Sequence, residues 1–160
     1  MYWPSAAWTL RLTDNLVNFL HFDNLQNRYD HFILAGASLL CSEKHSHLFA
    51  HGQYEKYTHW KKSLNDHIEL TVNLHKIKDI YIIEHQDCGA YSNLLDPGKV
   101  DLSSLDKEIE CHKKFVTTLA DEIHAEPRTE KNEQGGENEY RLNVHCFLST
   151  CAAMWNCYIH

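Results

Sequence analysis

Two side chains three positions apart stand out for their chemistry: His85 and Cys88, in the run Ile82-Ile83-Glu84-His85-Gln86-Asp87-Cys88-Gly89-Ala90. Imidazole nitrogen and thiolate are both good zinc ligands, and a short turn can aim both at one ion. Gly89 suits a tight turn into a following helix, whose N-terminus would help to stabilise a thiolate at Cys88. The same pair also admits thiol chemistry, with Cys88 as nucleophile and His85 as its base. Taken alone, an H-x-x-C is more often a turn histidine beside a buried cysteine, so its surroundings must decide.

The chain holds 13 histidines and six cysteines, so other ligand sets need weighing. His45, His47, His51 and His59 fall on a polar segment with Lys44, Glu55 and Lys56 and read as solvated side chains. His45-Ser46-His47 with His51 would also suit a surface metal site, the rival reading of that segment. Cys146, Cys151 and Cys157 do not have the C-x-x-C spacing of a zinc ribbon. Cys146 reads as core on a strand, since a free buried cysteine behaves as a small hydrophobe. Gly135-Gly136 lies in the polar run Thr129 to Glu139, read as a mobile surface connection. No strand leads into that glycine pair and no G-K-S/T follows, which argues against a phosphate loop.

Elements that would position these groups alternate between strand and helix patterns. Thr13 or Asp14 can cap a helix with Leu16, Phe19 and Leu20 at helical spacing. His31 to Ala35 is a short apolar run ending at Gly36, which predicts a buried strand. Trp60, Leu64, Ile68 and Val72, four apart, predict a long helix around Tyr57 to Lys76. Asp79 to Glu84 is the clearest strand, apolar on both faces, and the run Ile80 to Ile83 is expected to be central and fully buried. Ser103 or Ser104 opens a helix with Leu105, Ile109, Val116, Leu119 and Ile123 as its apolar stripe, and Tyr140 to Leu148 alternates as a strand does. Such alternation predicts an α/β fold with a mostly parallel central sheet flanked by helices. Sites in sheets of that kind form where strands end and helices begin, which is where His85 and Cys88 fall.

Composition limits the function classes. With 160 residues, 43% of them hydrophobic, the chain is expected to form a single domain over 1–160 with a real core. Fifteen basic residues against 22 acidic ones, a net charge of −7, exclude a general nucleic-acid binder, which needs a basic face for phosphates. No apolar run approaches the ~18 residues of a membrane span. The start Met1-Tyr2-Trp3-Pro4-Ser5 lacks the basic and apolar stretches of a secretory signal, and six cysteines without one point to thiols in a reducing, cytoplasmic setting.

The string EHQDCGAY after IYII resembles the second zinc motif of the β-class carbonic anhydrases, which carry H-x-x-C-G-A directly after a buried strand. Leu34-Ala35-Gly36-Ala37-Ser38 is similar to the glycine-containing turn after that family's second strand. The segments Leu64 to Leu70 and Leu74 to Ile77 resemble the helix that runs into the H-x-x-C strand. The likeness covers roughly the first two-thirds of the chain and is closest to the small bacterial branch. It implies a β-carbonic-anhydrase-like fold, zinc on His85 and Cys88, hydration of CO2 to bicarbonate, and a homodimer or larger assembly with the site near the subunit boundary. Tyr2, Trp3 and Trp8 would suit such a contact.

The family's first motif, C-x-D-x-R, supplies a zinc thiolate and a salt-bridged Asp–Arg pair that positions the zinc-bound water. At the corresponding place stand Ala7, Thr9 and Arg11. Arg11 fits, but alanine has no donor atom and a threonine hydroxyl is a poor substitute for a carboxylate. Cys41 lies after the Gly36 turn, on the wrong side to replace the lost ligand. Catalytic zinc needs about three protein ligands plus water, so this pattern implies weak zinc and impaired turnover. Three readings stay open: a carbonic anhydrase homologue with a non-standard zinc shell, an inactive homologue that binds an anion through Arg11 or a protein partner, and a thiol enzyme built on Cys88.

Overall fold

The computed structural model describes residues 13–39, 41, 43–131, 136–149 and 154–159. In chain order these form α1 (Thr13–Phe22), a 3-10 turn (Glu43–Leu48), α2 (Gln53–Tyr57), α3 (His59–His75), β1 (Asp79–His85), α4 (Gly89–Leu94), α5 (Leu105–Ala125), β2 (Arg128–Lys131), β3 (Glu137–Tyr140), β4 (Asn143–Ser149) and β5 (Met154–Ile159). The fold class is mixed α/β, as the alternating pattern predicts. No helix among the described residues is long and apolar enough to cross a membrane.

Helix α5 begins where the capping signal places it. The Ser104 side chain accepts from the Lys107 amide, and Asp106 and Glu108 in the first turn complement the helix dipole. Its buried side carries Phe115, Val116, Leu119, Ala120 and Ile123, and the helix packs against β1 and β4. Leu105, expected on that stripe, is exposed. Helix α3 buries Ile68, Thr71 and Val72, and it ends at Lys76 in a left-handed conformation (φ 55°), whose amide donates to the Val72 carbonyl.

The principal sheet has the order β1-β4-β5, with β1 parallel to β4 from Asp79↔Asn143 to His85↔Ser149 and β5 antiparallel to β4. Three sequence expectations are corrected here. Among the described residues β4 is the middle strand and β1 has a strand neighbour on one side only. Within β1 only Ile82 and Glu84 are buried, while Ile80, Tyr81 and Ile83 are half-buried. An apolar run reports that side chains will be covered, not that the strand will be paired on both sides.

The expected strand His31 to Ala35 is not one: Phe32 stacks on the His67 ring with centroids 4.9 Å apart, and Ile33 is 61% exposed. Finally, the polar run after Pro127 contributes the antiparallel hairpin β2–β3, with Arg128 opposite Tyr140. Its strands lack an apolar alternation, so sequence shows no strand there; Lys78 holds it, bonding Glu130 at 2.5 Å and lying 3.4 Å over the Tyr140 ring.

Two apolar clusters make the core. One joins α3 and α5 to the sheet through Ile68, Val72, Ile82, Leu119, Val144 and Cys146, so Cys146 is core as expected. The other gathers Leu39, Phe49, Cys88, Tyr91, Leu95 and Phe115. The H-x-x-C turn belongs to the second cluster and follows the strand that anchors the first.

Candidate functional site

Strand β1 ends at His85 and the chain turns sharply. The Gln86 amide donates to the Ser149 carbonyl at 3.0 Å, Asp87 takes a left-handed conformation (φ 53°), and Cys88 occupies the N-cap position of α4. Asp87 is exposed, and its amide donates to Glu108 Oε1 at 2.7 Å. His85 Nδ1 lies 2.8 Å from the Gln86 carbonyl, an acceptor to which it can only donate.

Two effects oppose one another at Cys88: the Ala90 and Tyr91 amides at the start of α4 pull its thiol down, as expected of a helix N-terminus, while burial, the larger effect, pushes it up. Helix α4 is only six residues long, so its dipole is short.

The glycine turn upstream lies against this one. Gly36 has φ 72°, and a Cβ there would come within 3.1 Å of Ala90 Cβ and 3.0 Å of Leu39 Cβ. Only glycine satisfies both the backbone conformation and the approach. Two of the segments that carry the family resemblance, the Gly36 turn and the H-x-x-C turn, are therefore neighbours in space. Beside them opens a cavity of about 1040 Å³ that both His85 and Cys88 line, with Trp60, Leu64 and Ile68 among its apolar walls.

Behind the turn sits a buried polar cluster that sequence reasoning missed. Glu84, 3% exposed, accepts from the Ser38 amide at 3.0 Å, the Ser38 hydroxyl, the Tyr91 hydroxyl at 2.7 Å and His112 Nδ1. Tyr91 lies over the His112 ring with centroids 3.8 Å apart. A sequence signal existed: His112 falls seven residues before Leu119 and four before Val116, on the apolar stripe of α5. Glu84 looked like a polar strand boundary and is an inward-facing residue.

Of the other sequence-predicted residues, Ala7, Thr9 and Arg11 lie outside the described residues. His45, expected to be solvated, is buried; its Nε2 lies 2.9 Å from Thr118 Oγ1, and burial followed by Lys114 and Lys44 holds its proton affinity down. His47, His51 and His59 are exposed as expected. Cys41 and Cys111 are buried thiols raised to about 12 by desolvation. Among the described residues no group of three His, Cys, Asp or Glu side chains could hold a metal ion. The donor set there is His85 and Cys88, which does not complete a catalytic zinc shell.

No family model matches the chain. It is 35% identical over 106 residues to an uncharacterized protein of Rickettsia bellii (strain RML369-C), covering 66% of this chain and 57% of that protein. It is 32% identical over 113 residues to an uncharacterized protein of Rickettsia conorii (strain ATCC VR-613 / Malish 7), covering 71% of this chain and 54% of that protein. The chain thus spans about half the length of the curated relatives it matches. No solved structure matches it.

Proposed function

We propose that the chain is a β-carbonic-anhydrase-like protein whose ancestral activity is zinc-dependent hydration of CO2 to bicarbonate, with turnover impaired because Ala7 and Thr9 take the places of the motif cysteine and aspartate. The observation that carries this reading is the packing of the Gly36 turn on Ala90, beside a cavity that His85 and Cys88 share. In this reading the fold is β-carbonic-anhydrase-like, His85 and Cys88 are the retained zinc ligands, and Arg11 remains as the anion-facing member of the first motif. The chain assembles at least as a homodimer.

A second reading, an inactive homologue that binds an anion or a protein partner, is favoured by three observations. The described donors are too few for catalytic zinc, and the Cys88 thiol is raised by burial, which opposes metal binding. The cavity, at about 1040 Å³, is also far larger than CO2 requires.

Metal analysis and stopped-flow CO2 hydration on three proteins test both readings. The wild type should hold little zinc and turn over slowly. Ala7→Cys should bind zinc at least ~10–100-fold more tightly with little activity, and Ala7→Cys with Thr9→Asp should hydrate CO2 measurably faster. A double variant that binds zinc and stays inert would support the second reading. A zinc-loaded, fast wild type would overturn the impaired site.

A further inference from the structure

We propose that His112 is a positioning residue for the H-x-x-C turn: the buried carboxylate of Glu84 fixes its ring, which packs 3.6 Å from Glu108, and Glu108 holds the turn at Asp87. The proposal deepens the reading above, because the turn it fixes carries both proposed zinc ligands.

Glu84 immediately precedes His85, and a buried carboxylate is tolerated only when donors surround it. Ser38 and Tyr91 supply three of these and His112 Nδ1 the fourth. The imidazole is thereby oriented with its other nitrogen toward the turn. His112 Nε2 is buried without a hydrogen-bond partner among the described residues, 3.6 Å from Glu108 Oε1. That same oxygen accepts the Asp87 amide at 2.7 Å. Glu108 and His112 are four apart on α5, so one helix face presents both groups to the turn.

Asp87 is left-handed at φ 53°, a conformation that aspartate tolerates better than most residues with a Cβ, and the Glu108 carboxylate caps its amide there. That corner sets the direction in which the chain leaves His85 and reaches Cys88. A relaxed Asp87 would change how His85 and Cys88 are placed relative to one another, and Cys88 is itself part of the apolar cluster with Tyr91 and Phe115. His112 therefore acts on the site through Glu108, not by touching a ligand.

Amide hydrogen exchange on the full chain reads this directly. Glu108→Gln and His112→Phe should each speed exchange at Asp87 by at least ~10-fold, as expected for loss of a charge-assisted hydrogen bond. The double variant should be no faster than either, the mark of a shared path. The Leu119 amide in α5 should stay as slow as in the wild type. His112→Gln, which keeps a donor for Glu84 but cannot span to Glu108, should resemble Glu108→Gln and decides the matter if the phenylalanine variant fails to fold. Cobalt(II) titration of the same proteins should show ~10–100-fold weaker binding in the variants. Unchanged Asp87 exchange in the His112 variants, or additive effects in the double variant, would overturn the proposal whatever the metal does. Coupled exchange with no cobalt binding in any protein would leave the clamp standing and tell against the zinc reading.

Discussion

Burial of Cys88 has a consequence that a titration can read. The thiol is pushed above its ordinary value, so near neutral pH it carries a proton that any metal must displace. Affinity for zinc or cobalt should therefore rise with pH, by close to tenfold per unit between about pH 6 and pH 8, with about one proton released per ion. Calorimetric titrations in buffers of different ionisation enthalpy would measure that release. Affinity independent of pH would mean that the thiolate is already formed. Gly36 is the other residue whose role is sharply defined. Gly36→Ala adds a Cβ within 3.1 Å of Ala90 and forces a side chain into left-handed backbone, so we expect a loss of ~1–3 kcal/mol in urea unfolding. Gly36 was legible in sequence as the end of an apolar run, but its contact with Ala90 was not, because the two lie far apart in the chain.

Helix ends illustrate what an element's own sequence can and cannot say. Ser104 was readable as a cap because its hydroxyl acts within one turn. The end of α3 was readable to within a residue, but not its conformation. Lys76 closes the helix in left-handed backbone, a geometry that glycine adopts without strain. Lys76→Gly should therefore raise stability by ~0.5–1 kcal/mol, the left-handed strain removed outweighing the added freedom of the unfolded chain. A fall in the urea midpoint would show that the Lys76 stem contributes packing of its own. Strands behaved differently. Val144 and Cys146 marked β4 correctly as buried, yet nothing in Asn143 to Ser149 said that it, and not β1, would lie in the middle.

Over the whole molecule, apolar side chains remain outside the two core clusters. Phe22 is 86% exposed, and Ile33, Leu70 and Leu74 are each more than half exposed. Leu70 and Leu74 are four apart on α3, so they share one outward face. The expectation of a homodimer rests on the family resemblance and the aromatic start Tyr2, Trp3 and Trp8, and this exposed apolar face offers a contact for it. Light scattering at micromolar concentration should give at least twice the 18.7 kDa of one chain, and a monomer mass would remove that part of the proposal. Replacing Leu70 and Leu74 by lysine should shift the mass toward one chain if their face is at the contact.

Local pattern alone determined the helices around Trp60 to Val72 and Leu105 to Ile123, the strand from Asp79, and the pairing of His85 with Cys88 in one turn. Each of these rests on a periodicity or a spacing of a few residues, where backbone geometry leaves little choice. Tertiary structure decided the rest. Among the described residues it made β4 the middle strand and gave His31 to Ala35 no strand conformation, and it buried His45 against Thr118 and turned Glu84 inward to meet Ser38, Tyr91 and His112. Tyr91 is only seven positions from Glu84, but Ser38 and His112 lie 46 and 28 positions from it, and Thr118 lies 73 from His45. A charged or polar residue in an apolar stretch reads locally as a boundary or a solvated site. Only a folded neighbour that supplies the missing donor or acceptor makes its burial favourable.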